Sequence, residues 1–341
     1  MSKIEWTHRP GTKSEVLNPT TGCNKKSRGC KFCYAEKMHK RLRGMGQKKY
    51  QQPFLDGAVY WPEELAKPFK WKKPRTVFLN SMSDIFHPNI TVQQIAEIYA
   101  MMFLTQWHTY IVLTKVSDRA AEVLTSKEFW NHYIEAVNNL PYKSVWSTKV
   151  WSESELYDRW PLKNVVQGVS VENSEQTNRI RDLAKTPSYL AVVSIEPMVG
   201  PVDLYEPLNN NADSGLIGLR LIDILDWVIV GGESGGKGSP MHPDWVRSVR
   251  DQCQYGGASF FFKQWGDWAP DRVLNNNEEL AHVFDNEPDP GYPVEIINHE
   301  GKHNSRLLIE PITEPHVRML KMGKDKSGNY LDGVQHLQYP W

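Results

Sequence analysis

Two hydrophobic patterns alternate along the chain. The first is a set of short runs, apolar at the centre and polar just afterwards: Thr76–Asn80 (TVFLN), Thr109–Thr114 (TYIVLT), Asn164–Val171 (NVVQGVSV), Tyr189–Ile195 (YLAVVSI), Trp227–Val230 (WVIV) and Ser259–Lys263 (SFFFK). Runs of this kind are strands buried on both faces of a parallel sheet. The second pattern is longer, with apolar residues at helical spacing over Thr91–Trp107, Asp118–Asn138, Ser174–Lys185 and Pro243–Tyr255. Ser174 is placed to cap its helix, with Glu175 in the first turn, and His242-Pro243-Asp244 reads as a helix entry. Strand followed by helix, repeated about six times, predicts an α/β fold with a parallel sheet. Right-handed crossovers either close such a sheet into a full or partial barrel or leave it open and doubly wound.

In both cases the working edge is where the strands end. The ends read Asn80-Ser81-Met82-Ser83-Asp84, Thr114-Lys115, Ser170-Val171-Glu172-Asn173, Ser194-Ile195-Glu196-Pro197, Gly231-Gly232-Glu233-Ser234 and Lys263-Gln264-Trp265. Helix caps account for residues such as Ser174 and Asp118, but less well for Glu172, Glu196, Glu233 and Lys263. Gly231-Gly232 suits either a close backbone approach to a ligand or a tight turn. Met45–Lys73 reads as a loop-rich insertion and Asn209–Ser214 as a polar surface loop. Past Trp268 the periodicity fades, so the expected division is 1–268 as the α/β domain and 269–341 as a small irregular appendage.

Of 341 residues, 40% are hydrophobic and 23% charged, which excludes a generally disordered chain. No apolar run reaches the roughly 20 residues that span a bilayer, and MSKIEWTHRP lacks a signal-peptide core, so a soluble cytoplasmic protein without membrane contact is expected. The net charge of zero hides an asymmetry: residues 24–49 hold ten Lys or Arg against one acid, Glu36. A local basic patch attracts phosphates even on a neutral chain, which makes nucleic acid an expected partner; the plainer reading is a solvated helix face.

Three of the four cysteines lie close together, Cys23, Cys30 and Cys33, with spacing C-x6-C-x2-C. A tight trio points to metal more than to a disulfide framework. Three thiolates suit an iron–sulfur cluster with one open iron, or zinc completed by His39 or Cys253; buried thiols without metal are the third possibility. Phe32 before the last cysteine resembles the C-x-aromatic-C ending of radical SAM enzymes, whose usual first gap is shorter.

The segments NPTTGC, GCKFCYAEKM, VFLNSMSDIFHP, IVLTK, QGVSVEN, SIEPMVGPVDL, DWVIVGGESG, MHPDWVRSVRDQC, FFFKQWGDWAP and GKDKSGNYLDG resemble, in order and almost end to end, the phage three-Cys-motif family of unassigned function. That family is similar to radical SAM proteins. The resemblance implies a partial (β/α)6-type barrel, related to the TIM barrel, with a [4Fe–4S] cluster on Cys23, Cys30 and Cys33. S-adenosylmethionine would chelate the open iron, and an external electron donor would drive its cleavage to a 5′-deoxyadenosyl radical. Asn80, Ser81, Ser83 and Asp84 would then meet the methionine amino group and Lys115 its carboxylate. Ser170 and Glu172 would hold the ribose, with Glu196 also on the cofactor, and Glu233 and Lys263 would face the substrate. Cys253 and Tyr34 are the candidates for delivering hydrogen to a product radical. A nucleic-acid base or nucleotide is the expected substrate, as in phage thymidine hypermodification or DNA repair. The competing expectations are an amino acid or small metabolite, and a non-catalytic zinc- or cluster-stabilised nucleic-acid-binding protein.

Overall fold

A computed structural model describes residues 4–142, 149–208, 218–274, 292–301 and 315–341. The expected loop Asn209–Ser214 lies outside the described residues. The chain divides into two compact units. One holds Met1–Ser170, Asn178–Ser194 and Ile224–Asp226; the other holds Val171–Thr177, Ile195–Asp223 and Trp227–Trp341. Position 268, where the hydrophobic pattern fades, lies inside the second unit. The protein is a mixed α/β structure.

In the first unit the strands β1 (Lys13–Leu17), β2 (Arg75–Leu79), β3 (Thr109–Thr114), β4 (Val165–Ser170) and β5 (Leu190–Ile195) pair in parallel, each with the next. The second unit carries the parallel pair β6 (Trp227–Gly231) and β7 (Ser259–Gln264). All six expected runs are therefore strands. Five consecutive residues of β4 and all five of β6 are buried, which is why their sequences show no alternation. β1 was not foreseen. Only Ser14 and Leu17 are buried in it, and the ion pair of Glu15 with Arg75 on β2 takes up one of its charges.

The helices follow the strands, with changes that local chemistry explains. α1 is Tyr34–Gly44 and α2 is Val92–Leu104. Thr91 and Gln94 form a reciprocal capping box at the start of α2, worth about 1 kcal/mol. The stretch expected as one helix over Asp118–Asn138 is two, α3 (Ser117–Thr125) and α4 (Lys127–Asn139). Ser126 takes extended backbone between them, and its hydroxyl accepts from Phe129 N at 3.1 Å. A serine side chain that substitutes for the helical ladder in this way restarts the helix. Ser174 does not cap: its hydroxyl donates to Pro201 O at 3.0 Å, a 3-10 turn covers Ser174–Gln176, and α5 is only Asn178–Leu183. α6 (Pro243–Gly256) starts as expected, with Pro243 in the first turn and His242 Nδ1 accepting from Asp244 N at 3.2 Å.

The region after Trp268 is less irregular than expected. Trp268–Leu274 (β8), Val294–Ile297 (β9) and His316–Lys321 (β10) form an antiparallel sheet in the order β8-β10-β9, over a core of Trp268, Ile297, Val317 and Met319. The strands are separated by long polar segments, which hid the pattern. Among the described residues no helix is long and apolar enough to cross a membrane.

The Met45–Lys73 insertion fastens the loop that carries the first cysteine. Its short strand Val59–Tyr60 pairs with Thr20–Thr21, and Phe54 O accepts from Cys23 N at 2.8 Å. Gly22 has φ +87°, and a side chain there would fall on the Gly57 carbonyl oxygen. Gly22→Ala is expected to lower stability by about 2 kcal/mol or more. Urea denaturation of the purified variant checks this, and an unchanged midpoint would show that the insertion yields at no cost.

Candidate functional site

The cysteine loop leaves β1 and is fastened to the loop that follows β2. Asn18 Oδ1 accepts from Ser81 N at 2.8 Å, Met82 N at 3.2 Å and the Ser81 hydroxyl at 3.3 Å. Gly22 N donates to Met82 O at 3.1 Å, and the Ser83 hydroxyl donates to Gly22 O. One residue past Cys23, Asn24 is held twice. Its Nδ2 donates to Leu55 O at 2.9 Å, and its Oδ1 lies 2.5 Å from His87 Nε2. His87 Nδ1 accepts from Asn89 N at 3.1 Å, so the proton sits on Nε2 and is donated to Asn24. Arg119 on α3 braces the far side, donating to the carbonyls of Phe86, His87 and Ile90 at 2.6–3.0 Å.

Asp84 joins this loop to the end of β3. Its carboxylate accepts from Thr114 Oγ1 at 2.8 and 2.9 Å, Lys115 N at 2.8 Å and Phe86 N at 3.0 Å. Burial pushes the Asp84 carboxyl above its usual range, against the lowering effect of those donors. Asp84 was expected to receive a ligand amino group; its oxygens are instead occupied by the fold. Ser81 and Ser83 likewise give their protons to Asn18 and Gly22. Asn80 differs. Its Nδ2 donates to Thr20, while Oδ1 is buried with no hydrogen-bond partner among the described residues. A buried acceptor left unpaired costs on the order of 1–3 kcal/mol, and a donor on a ligand would satisfy this one.

The three thiols share this neighbourhood. Cys23 and Cys33 pack against Ala35, Tyr50, Phe54 and Met82. Cys30 closes a 3-10 turn, with Ser27 Oγ 3.8 Å from its sulfur, and Cys33 stands at the N-cap of α1. Burial pushes the Cys23 thiol up to about 12, with Asp84, Cys30 and Cys33 adding to the effect. Burial also raises Cys30, but the Lys115 charge and the Lys26 and Ser27 backbone outweigh it, leaving that thiol below its ordinary value. Among the described residues, no group of three or more His, Cys, Asp or Glu side chains is arranged to hold a metal ion as it stands. The donor chemistry nevertheless suits an iron–sulfur cluster: three thiols lie on one short loop, and two of them, Cys23 and Cys33, pack in the same cluster of side chains. His39 fits zinc poorly. Its ring is buried edge-on between Tyr50 and Phe54, at centroid distances of 5.2 and 5.3 Å.

Tyr34, the first residue of α1, is 65% exposed. Ser170 contributes its carbonyl, which accepts from Arg179 at 2.6 Å. The remaining expected residues belong to the second unit. Glu172 is fully buried, and its carbonyl accepts from Val199 N at 2.9 Å. Glu196 and Lys263, expected on cofactor and substrate respectively, form an ion pair with each other above Gly231, where an added Cβ would meet the Glu196 carboxyl at 3.3 Å. Glu233 closes its own loop by accepting from Ser239 N at 2.9 Å. Gly232 approaches the Trp265 carbonyl, so its close contact is with the protein's own backbone. Cys253 lies fully buried on α6, its thiol pushed up to about 12 by burial.

The residues that sequence reasoning missed are Asn18, Asn24, His87 and Thr114. Each lies within or next to a motif that was visible, but its partner is 30 or more residues away in the pairings Asn18–Ser81, Asn24–His87 and Thr114–Asp84.

A mixed α/β protein with a thiol trio at the ends of parallel strands is what fold and site define. Residues 1–340 match one family model, and the protein belongs to that family, described as "Protein of unknown function (DUF5131)". No curated protein matches the chain. The solved structure of spore photoproduct lyase complexed with dinucleoside spore photoproduct is similar at a TM-score of 0.32 and 10% identity, over 70% of this chain. The chain spans 60% of that protein's length, and a likeness of this size carries no argument about chemistry.

Several buried histidines give the pH dependence of stability a definite sign. Burial lowers His39 and His87, and brings His108 and His242 to about 4. These rings stay neutral in the folded chain, whereas the unfolded chain takes up protons near pH 6.5. Stability is thus fully present above that pH and lost as pH falls through 6.5 towards 4. Urea midpoints measured from about pH 8 to about pH 4.5 should be flat at first and then fall; a flat profile throughout would mean that these rings ionise in the native state.

Proposed function

We propose that the protein is a radical SAM enzyme of the phage three-Cys-motif kind, acting on a nucleic-acid base or nucleotide. The observation that supports this most is that Cys23 and Cys33 pack in one cluster of side chains, with Cys30 between them on a loop tied to the end of β2. The three cysteines would hold a [4Fe–4S] cluster. When bound, the cluster and S-adenosylmethionine supply a 5′-deoxyadenosyl radical for hydrogen abstraction, given an electron from an external donor.

The chain's own residues would orient and shield. Asn80 Oδ1 is the buried acceptor available to a ligand ammonium. Lys115, just past the end of β3, would bring a positive charge to a ligand carboxylate. Asn18, Asn24 and His87 fix the backbone that carries the thiols, so the donors need not be ordered anew when the cluster binds.

The test is anaerobic. Protein reconstituted with iron and sulfide, reduced with dithionite and given S-adenosylmethionine should release 5′-deoxyadenosine. Cys30→Ala and Cys33→Ala should reduce release to the level of a protein-free control. Release that persists in both variants would overturn the assignment of the cysteines. Asn80→Ala should keep its iron but need at least about tenfold more S-adenosylmethionine for the same rate; an unchanged requirement would remove Asn80 from the site.

A further inference from the structure

The cysteine loop and α1 carry the steepest local charge imbalance in the chain, and the structure shows where that charge goes. Glu36, the sole acid among residues 24–49, is held by Lys25 at 3.4 Å and Lys40 at 2.7 Å. Lys49 is drawn away to Glu64 at 3.1 Å. Arg28, Lys31, Arg41 and Arg43 are exposed and have no carboxylate partner among the described residues. A surface built to be merely solvated would intersperse acids, as the rest of this electrically neutral chain does.

An aromatic accompanies the charge. Tyr34 is exposed at the start of α1, one residue after Cys33. Positions 34, 37 and 41 are three and four residues apart, so Tyr34, Lys37 and Arg41 share one face of the helix, and all three are exposed. From Tyr34 to Arg41 that face rises about 10 Å. A flat aromatic at one end of a cationic track is the arrangement that binds a single nucleic-acid strand, with phosphates on the cations and a base on the ring.

We propose that the exposed face of α1, together with Arg28 and Lys31 of the cysteine loop, binds single-stranded nucleic acid and stacks one base on Tyr34 beside the cysteines. This rests on the proposed nucleic-acid reading and makes it specific: a strand, not a duplex or a free metabolite, and Tyr34 as a stacking platform in place of a hydrogen donor.

The experiment is fluorescence anisotropy of the reconstituted full-length protein with a labelled oligo-dT of about 20 nucleotides, from about 50 to 300 mM salt. Affinity should fall linearly on a log–log scale, by about 0.7 for each phosphate neutralised. The combined variant Arg28→Gln, Lys31→Gln, Lys37→Gln, Arg41→Gln should bind more weakly and show a shallower slope. Lys72→Gln with Lys73→Gln, an exposed basic pair elsewhere on the first unit, should match the parent protein. Tyr34→Ala should weaken binding at least about fivefold with no change in slope, because stacking releases no counterions.

Iron content and 5′-deoxyadenosine release are measured on the same preparations. Protein that releases 5′-deoxyadenosine yet binds the oligonucleotide no better than the four-site variant would overturn this inference and leave the radical reading standing. Oligonucleotide binding with the expected slopes from protein that takes up no iron would support the surface and overturn the radical reading. Duplex bound as tightly as the single strand, with Tyr34→Ala silent, would overturn the single-strand assignment, as would polyglutamate competing as well as the oligonucleotide.

Discussion

The candidate site depends on the close approach of two loops that lie far apart in the sequence. Gly22 and the loop following Leu79 meet backbone to backbone, and a Cβ at Gly22 would occupy the place of the Gly57 oxygen. Only glycine permits both that contact and the positive φ. The thiols are therefore carried on a loop whose polar groups are already spoken for by Asn18, Ser83, Phe54 and His87. A loop held this way can hold metal ligands in place without a regular element of its own.

The same economy explains why so many strand-end residues serve the fold before any ligand. Asp84 is a buried four-bond hub, Glu233 closes its own turn, and Glu196 and Lys263 neutralise one another. Polar residues at the ends of strands are needed wherever backbone turns away from a sheet, because buried donors and acceptors must find partners. The positions that stand out are those left over once this demand is met. Asn80 Oδ1 is one in the first unit; Asn173 Oδ1 and Gln264 Oε1 are buried orphans in the second.

Much of this was legible from the chain alone, and the exceptions share a cause. The strands β2 to β7 announced themselves by their apolar runs, which are buried throughout in Trp227–Gly231. β1 stayed hidden because it is half-exposed and pairs through Glu15 and Arg75, which read as ordinary surface charges. The cysteines were visible by spacing, and Lys115 by its place after a strand. Asn18 and His87 were not, since an asparagine or histidine bridging 63 residues leaves no periodic trace. Ser126 likewise looked like an ordinary residue inside one long helix until its hydroxyl was seen to start a second.

In the proposed function, Cys23, Cys30 and Cys33 would hold an iron–sulfur cluster with one iron left to a ligand. The most direct measurement is the metal and sulfide content of protein expressed with ample iron and purified without oxygen. About four iron and four sulfide per chain are expected from the three-thiol set, with loss of both in Cys23→Ala. One tightly held zinc per chain, with no sulfide, would contradict the account.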